Sequence, residues 1–295
     1  MSKEKKKPGI WALIVKLGGK FLSFFIKFLK VGKLALAAIT FASYSYLFTW
    51  KFALLLMIAI GFHESGHVWA MKKIGIKTSG FFFIPFFGGA AVATESCKTY
   101  AQTAYIAIMG PIWGTALAYA TLAIYYATGQ PLWAAAAAWM AVVNLFNLLP
   151  ITPLDGGHML KSICFSINQN LGLIFLGVSL VGSCFLFWHI RAFLFIVLLA
   201  VGALEFGVEV WHRRSVRKIS ANFRQSLTNM HCTEQEIQEA HDQVFKSKKP
   251  TTEPLSPLHM GLTVGSYALT IGLLFGILLV IKQVPGADIA ANFFE

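Results

Sequence analysis

Residues 52–71, FALLLMIAIGFHESGHVWAM, combine an apolar run of membrane-spanning length with a cluster of ionisable side chains. A helix needs about 20 mostly apolar residues to cross roughly 30 Å of hydrocarbon. Ionisable residues inside such a span are costly in lipid, and they mark function by default. The stretch therefore predicts a transmembrane helix that carries a chemical site.

Three residues of this stretch, His63, Glu64 and His67, form the pattern H-E-x-x-H. Histidines four residues apart share one helix face and can bind a single Zn²⁺, while the Glu reaches a metal-bound water. The alternative is a pair of core histidines satisfied by hydrogen bonds alone. Because that alternative needs several partners at once in a place where lipid offers none, the pattern favours a metal site.

A third metal ligand must come from elsewhere in the chain, since a catalytic zinc takes three protein ligands and keeps a fourth position for water. Asp155 follows an apolar run that Pro150 and Pro153 interrupt, and Gly156-Gly157 let the backbone approach another element closely. Broken helix at membrane depth is tolerated where protein buries it or where it lines a wet cavity. Such a place suits a ligand, and Asp155 is the first candidate.

Two other carboxylates compete for this role at the sequence level. Glu205 and Glu209 lie four residues apart in a later apolar run, so they remain a rival third ligand or a partner of the ligands. Pairing with Arg213 or Arg214 near the end of the span is the more ordinary interpretation. His158, close to Asp155, is either a partner of the site or a residue of a helix start.

The composition is that of a membrane protein. Of the 295 residues, 56% are hydrophobic and 13% are charged, against about 25% charged in an ordinary soluble domain. Disordered and ordinary soluble chains are thereby excluded. The net charge of +12 would suggest nucleic-acid binding in a soluble protein, but in a membrane protein it marks cytoplasmic loops. We therefore expect no nucleic-acid partner.

Seven apolar runs predict an all-α polytopic membrane protein. With the N-terminus in the cytoplasm, 22 basic residues fall on the cytoplasmic side and 3 on the other, as membrane topology requires. The first run is short and is polar at residues 43–46, so six spans result if it lies in the interface. The runs are residues 34–50, 52–71, 101–127, 132–151, 171–188, 192–211 and 258–281.

The chain divides into four parts by this interpretation. Residues 1–33 form a basic amphipathic segment that lies on anionic lipid, and residues 34–211 form a membrane core of six helices. Residues 212–257 form a cytoplasmic loop with one short helix at 237–245, because Thr233 and Glu236 form a capping box. Residues 258–295 hold the last transmembrane helix and a short tail.

The segment GFFFIPFFGGAAVA at residues 80–93 is too short to cross the membrane twice and too apolar for an ordinary loop. Its aromatic and β-branched residues around Pro85 and Gly88-Gly89 predict a membrane-associated β-hairpin or a re-entrant loop. Its role is either an edge strand beside the site or a packing plug, and the sequence leaves both open.

These motifs together resemble those of the site-2 proteases, polytopic zinc metalloproteases that cut substrates within or near the membrane. The resemblance rests on HESGH at 63–67, on NLLP at 147–150 followed by PLDGG at 153–157, and on a weaker GP at 110–111. It covers roughly residues 52–160. It implies that His63, His67 and Asp155 bind one Zn²⁺ per chain and that Glu64 is the catalytic base.

The resemblance also implies how a substrate is held. Asn147 would position the substrate, and the apolar segment would pair with an unwound transmembrane protein as an added strand. Gly88, Gly89, Ala91 and Val92 are the expected contact residues in that segment. The expected partners are a transmembrane protein substrate and membrane lipid, while the oligomeric state is not indicated.

The expected location is the bacterial inner membrane, which the chain crosses several times. The N-terminus is expected in the cytoplasm, and the site is expected near the cytoplasmic leaflet. A zinc or cation transporter that uses the same His and carboxylate groups is the alternative function. A transporter has no use for a Glu that H-E-x-x-H spacing places beside the metal water. The protease is therefore the preferred prediction.

Overall fold

The structure is a computed structural model that describes residues 32–86, 88–190, 193–230, 232–241, 244, 252–282 and 284. The interfacial segment predicted at residues 1–33 lies almost wholly outside these ranges, and so does the tail after residue 284. Within the ranges, nine α-helices and one two-stranded antiparallel sheet form. In chain order these are α1 (Lys33–Leu47), α2 (Trp50–Lys73), β1 (Thr78–Ile84), β2 (Gly88–Ala93), α3 (Tyr100–Thr128), α4 (Pro131–Asn147), α5 (Asp155–Ile167), α6 (Gln169–Ile190), α7 (Phe193–Asn229), α8 (Glu234–His241) and α9 (Pro257–Ile281).

Four helices, α2, α3, α6 and α9, are long and apolar enough to cross a membrane, judged over the described residues. Helix α1 has 15 residues and measures about 22 Å, which is less than the roughly 30 Å of hydrocarbon. Helix α4 is apolar but has only 17 residues. The mostly helical membrane architecture agrees with the sequence, whereas the count of seven spans stays a prediction.

Helix α3 lies at the centre of the core and packs against α2, α4, α5 and α9. It begins at a capping box between Thr99 and Gln102 and ends at Gly129, which adopts a left-handed φ of 66°. Its contact with α2 is close, because a Cβ at Gly66 would lie 2.4 Å from the Met109 carbonyl oxygen. This close approach brings the histidine face of α2 onto α3.

The apolar run 132–151 forms α4 and is then broken, as Pro150 and Pro153 predict. Backbone groups freed by the break find partners on other helices: the Tyr267 hydroxyl of α9 donates to the Leu148 carbonyl at 2.5 Å. The Thr152 N–H donates to the Ser179 hydroxyl of α6 at 2.8 Å. Leu148, Ile151, Thr152 and Leu154 are buried, whereas Pro150 is exposed. The break is therefore largely covered by protein, as the absence of water in a membrane favours, and α5 then begins at Asp155.

Glycines at the start of α5 let this helix fold back against the break. A Cβ at Gly156 would lie 2.2 Å from the Leu148 carbonyl oxygen, and one at Gly157 would lie 2.4 Å from the Ile151 carbonyl. Such separations are far below van der Waals contact, so side chains are excluded at both positions. The pair Gly156-Gly157 thus sets where Asp155 sits.

The segment at residues 80–93 forms a β-hairpin, one of the two structures predicted for it. Strands β1 and β2 are antiparallel, with Phe81 opposite Ala91 and Phe83 opposite Gly89. On one face, the rings of Phe81 and Phe83 approach Gly61 of α2. On the other, the Lys33 ammonium of α1 lies 4.7 Å from the centre of the Phe82 ring. The hairpin is therefore held between α1 and α2.

Helix α7 differs from the expectation that the sixth apolar run ends at residue 211. It continues to Asn229 and has 37 residues, about 55 Å in length. The physical reason is that residues 208–229 contain neither Pro nor Gly, so nothing interrupts the helix where its composition turns polar. The predicted cytoplasmic loop thus holds the second half of a long helix in addition to one short helix.

The short helix α8 begins at the predicted capping box. The Thr233 N–H and hydroxyl each donate to Glu236 Oε2 at 2.8 Å. These hydrogen bonds hold the pKa of Glu236 below its ordinary value, and the backbone hydrogen bond has the larger effect. Both favour the charged carboxylate. The helix covers Glu234–His241, slightly earlier than the residues 237–245 that the sequence predicted.

Candidate metal centre

The structure brings His63, His67 and Asp155 together. The two Nε2 atoms lie 3.1 Å apart, and Asp155 Oδ2 lies 3.1 Å from that of His63 and 3.4 Å from that of His67. Both histidines are buried, with 2% and 6% of their surfaces exposed. Among the described residues, this is the one group of three or more potential donors close enough to share a metal ion.

Hydrogen bonds set the orientation of both imidazoles. His63 Nδ1 lies 2.8 Å from Asn144 Oδ1, and His67 Nδ1 lies 2.7 Å from the Ile106 carbonyl oxygen. An oxygen without a hydrogen can only accept, so each Nδ1 carries the proton and donates it. Each Nε2 then keeps its lone pair and faces Asp155, which is the tautomer that a metal ligand requires.

The distances among these donors fit a zinc ion. Zn–N and Zn–O bonds of about 2.0–2.2 Å in a tetrahedron place ligand atoms about 3.3–3.6 Å apart, close to the observed 3.1 to 3.4 Å. Asp155 Oδ2 is buried and has no hydrogen-bond donor. Three atoms that present lone pairs to one another at this range repel unless a cation lies among them, so the group is suited to a metal.

Gly110 of α3 supplies space at the same point. A Cβ at this position would lie 2.2 Å from His67 Nε2 and 2.9 Å from His63 Nε2. Any side chain would therefore occupy the place where both Nε2 atoms converge. The weak Gly110-Pro111 signal in the sequence thus has a steric basis in the structure.

Glu64 lies beside this group, one residue after His63, and is 8% exposed. Strand β2 is its neighbour, since a Cβ at Gly89 would lie 2.6 Å from Glu64 Cγ. The absence of a side chain at Gly89 thus allows the hairpin to approach the carboxylate. A glutamate between a possible metal site and a strand is placed where it could exchange protons with a molecule bound there.

The two asparagines near the end of α4 have different partners. Asn147, the residue singled out from the sequence, is half-buried and donates from Nδ2 to the Val143 carbonyl at 3.1 Å. Asn144, which the sequence reasoning missed, contacts His63 directly. The signal that points to Asn144 is a polar amide in the middle of the apolar run 132–151.

The rival carboxylates have basic partners of their own. Glu205 pairs with Lys161 of α5, and Glu209 pairs with Arg213 at 2.8 Å. Neither belongs to the donor group around His63 and His67, and nor does His158. The arrangement agrees with the more ordinary of the two interpretations of Glu205 and Glu209.

Comparison with known families adds an independent observation. The model of peptidase family M50 matches residues 51–135 and 127–189 of the chain, a stretch that includes α2, the hairpin and Asp155. Residues 51–189 of the chain belong to peptidase family M50. This is the site-2 protease family, so the resemblance drawn from the motifs is confirmed.

Three curated proteins named as zinc metalloproteases are similar to part of the chain. A candidate zinc metalloprotease of Synechocystis sp. is 34% identical over 129 residues, which are 41% of this chain and 34% of that protein. The zinc metalloprotease MJ0392 of Methanocaldococcus jannaschii is 29% identical over 115 residues, 37% of this chain and 33% of that protein. The candidate zinc metalloprotease Rip3 of Mycobacterium tuberculosis is 28% identical over 162 residues, 52% of this chain and 39% of that protein.

The chain thus spans between 33% and 39% of the length of these relatives. The names of all three relatives describe zinc enzymes. Zinc is also the metal to which a buried set of two imidazoles and one carboxylate is suited. Family and donor set therefore imply the same metal.

Proposed function

We propose that this M50 peptidase is an intramembrane zinc metalloprotease, which hydrolyses a peptide bond within or near a transmembrane segment of a membrane-protein substrate. His63, His67 and Asp155 hold one Zn²⁺, and Glu64 is the catalytic base. The observation that carries the proposal is the convergence of the three donor atoms within 3.1 to 3.4 Å on and beside an apolar helix. Nothing in a purely structural histidine pair requires that arrangement.

When bound, zinc supplies a polarised substrate carbonyl and lowers the pKa of the attacking water. Glu64 accepts the proton from that water and passes it to the nitrogen of the leaving amine. Asp155 and the two imidazoles stay fixed during this transfer, because Gly156-Gly157 and the hydrogen bonds to Nδ1 hold them.

Strand β2 provides the substrate with a backbone partner. The sheet has two strands among the described residues, so β2 pairs with β1 on one edge. An unwound transmembrane segment must satisfy its freed N–H and C=O groups in a place without water, and addition to the other edge of β2 does so. We propose that Gly88, Gly89, Ala91 and Val92 form this edge and that the Asn147 amide holds a substrate carbonyl.

Proline substitution tests this edge. Neighbouring N–H groups of a strand point to opposite edges, so one of Ala91→Pro and Val92→Pro removes the donor that faces the substrate. We expect that variant to cut at least about 10-fold more slowly, roughly the cost of one hydrogen bond, with zinc content unchanged. Initial rates on a reconstituted transmembrane substrate are the measurement.

The matched control for this test is Val92→Ala, which keeps the N–H and should cut at the normal rate. Crosslinkers placed beside the cut site of the substrate should also reach β2. Full cleavage in both proline variants, with crosslinks confined to α6 or α7, would show that the hairpin is a packing plug.

The proteolytic function itself is tested in membranes. Cells that produce either the wild-type chain or Glu64→Gln are compared by mass spectrometry of membrane-protein fragments. We expect an uncut transmembrane fragment to accumulate with the variant, because regulated intramembrane proteolysis removes such fragments. Identical fragments in both membranes, together with zinc flux across vesicles that depends on His63, would instead support the transporter.

We also propose that the chain spans the bacterial inner membrane several times with its N-terminus in the cytoplasm. The support is the distribution of basic residues, 22 to 3 in favour of that side. The carboxyl end of α2, with Lys72 and Lys73 in its last turn, then lies at the cytoplasmic face. His67 lies about one and a half helical turns before Lys72 and His63 about two and a half, so the metal centre falls near the cytoplasmic leaflet.

A further inference from the structure

We infer that Asn144 is a positioning residue for the zinc ligand His63, and that Gly114 is the space which this amide requires. The inference concerns the metal centre and rests on the proposed function only in taking the metal to be zinc. It assigns a role to two residues that no sequence motif of the chain includes.

Asn144 is almost completely buried, with 1% of its surface exposed. Its Oδ1 accepts a hydrogen bond from His63 Nδ1 at 2.8 Å, and its Nδ2 donates to the Met140 carbonyl at 2.7 Å. If the oxygen and nitrogen of the amide were exchanged, its NH₂ group would face the N–H of His63 Nδ1 and its oxygen would face the Met140 carbonyl oxygen. Both contacts would be repulsive. The amide is therefore locked with its acceptor towards His63.

The locked amide lies directly over Gly114 of α3. A Cβ at this glycine would be 2.0 Å from Asn144 Oδ1, 2.3 Å from Nδ2 and 2.5 Å from Cγ. All three atoms belong to the amide group, whose partners prevent it from moving away. Any other residue at position 114 must therefore displace the group that holds His63.

Gly110 and Gly114 act on opposite edges of the same imidazole. They are four residues apart and share one face of α3. Gly110 leaves room beside His63 Nε2, the edge that binds metal, and Gly114 leaves room for the amide at Nδ1. The two glycines thus leave room for the His63 imidazole and the Asn144 amide against α3.

The chemical consequence is a fixed tautomer without added negative charge. The acceptor for His63 is an amide and the acceptor for His67 is a backbone carbonyl, so neither imidazole is made more anionic by a carboxylate. Within the donor group, Asp155 carries the negative charge. A site of this charge leaves the bound zinc a stronger Lewis acid than one whose histidines are backed by carboxylates.

Asn144→Leu tests the positioning role, because Leu has a similar size and no acceptor. Loss of an orienting partner typically weakens metal binding 10- to 100-fold, and we expect a zinc affinity lower by roughly that factor in chelator competition. The visible absorption spectrum of the Co²⁺-substituted protein should change as well, since it reports ligand geometry. Asn147→Leu is the matched control, on the same helix and without contact to His63, and should keep both.

A double-mutant cycle tests the space requirement. Gly114→Ala should lower zinc affinity in the wild-type chain but have much less effect in Asn144→Ala, where the amide is absent, so the two changes are not additive. If Asn144→Leu fails to fold, the Asn144→Ala variant of this cycle still tests the positioning role of Asn144. Additive effects would overturn the role of Gly114, and unchanged affinity in both Asn144 variants would overturn that of Asn144. A wild-type chain that binds no zinc would contradict the proposed function instead.

Discussion

Glu64→Gln is expected to keep one Zn²⁺ per chain while peptide-bond hydrolysis falls by roughly 100- to 10,000-fold, the usual contribution of a general base. Glutamine has nearly the same shape as glutamate but cannot accept the proton of the attacking water. It also leaves His63, His67 and Asp155 in place, so the metal should remain. Zinc analysis of the purified variant and single-turnover cleavage of a reconstituted substrate measure the two quantities.

Glu209→Gln is the matched control for this experiment. It makes the same chemical change in another apolar helix, at a carboxylate that pairs with Arg213 and lies outside the donor group. Arg213 keeps the partners Gln169 and Asn170, so the variant should fold and cut normally. Normal cleavage by Glu64→Gln, or equal losses in both variants, would remove Glu64 from the mechanism.

Asp155→Ala is expected to weaken zinc binding by more than about 100-fold. Outer partners of metal ligands already change affinity 10- to 100-fold, and Asp155 supplies a donor atom itself, 3.1 and 3.4 Å from the two Nε2 atoms. His63→Ala and His67→Ala should show losses of similar size. Chelator competition monitored with the purified variants gives the three affinities on one scale.

The zinc affinity of Glu205→Gln tests whether Glu205, and not Asp155, is the third ligand. The carboxylate of Glu205 pairs with Lys161 on the helix that begins with Asp155, so it is close in the fold without belonging to the donor group. We expect this variant to bind zinc normally. Full affinity in Asp155→Ala together with a loss in Glu205→Gln would move the third ligand to α7.

Local spacing was sufficient to predict that the two histidines lie on one helix face with the glutamate beside them, and to predict a hairpin as one of two structures for residues 80–93. Residues 63 and 67 fall on one face of any α-helix, so their convergence needs no information from the rest of the chain. The hairpin follows from its own turn residues and apolar strands in the same way. The capping box at Thr233 and Glu236 is another feature of this kind, since its hydrogen bonds span three residues.

Length and neighbours limited other predictions. The end of α7 was placed at residue 211 because the apolar run ends there, yet the helix continues to Asn229. A change from apolar to polar composition marks the membrane boundary and not a helix end, which needs a breaking residue or a cap. The sequence pattern therefore indicated where α7 leaves lipid, but not how far it extends.

The choice among Asp155, Glu205 and Glu209 depended on packing between distant segments. Asn144 reaches His63 across 81 residues of sequence, and Gly114 matters only because that amide lies over it. Hydrophobic periodicity states which face of each helix is buried, but it does not state which two helices meet or at what height. Those relations arise from steric fit at Gly66, Gly110 and Gly114, where the absence of a side chain lets α2 and α4 approach α3 closely enough for the metal donors to converge.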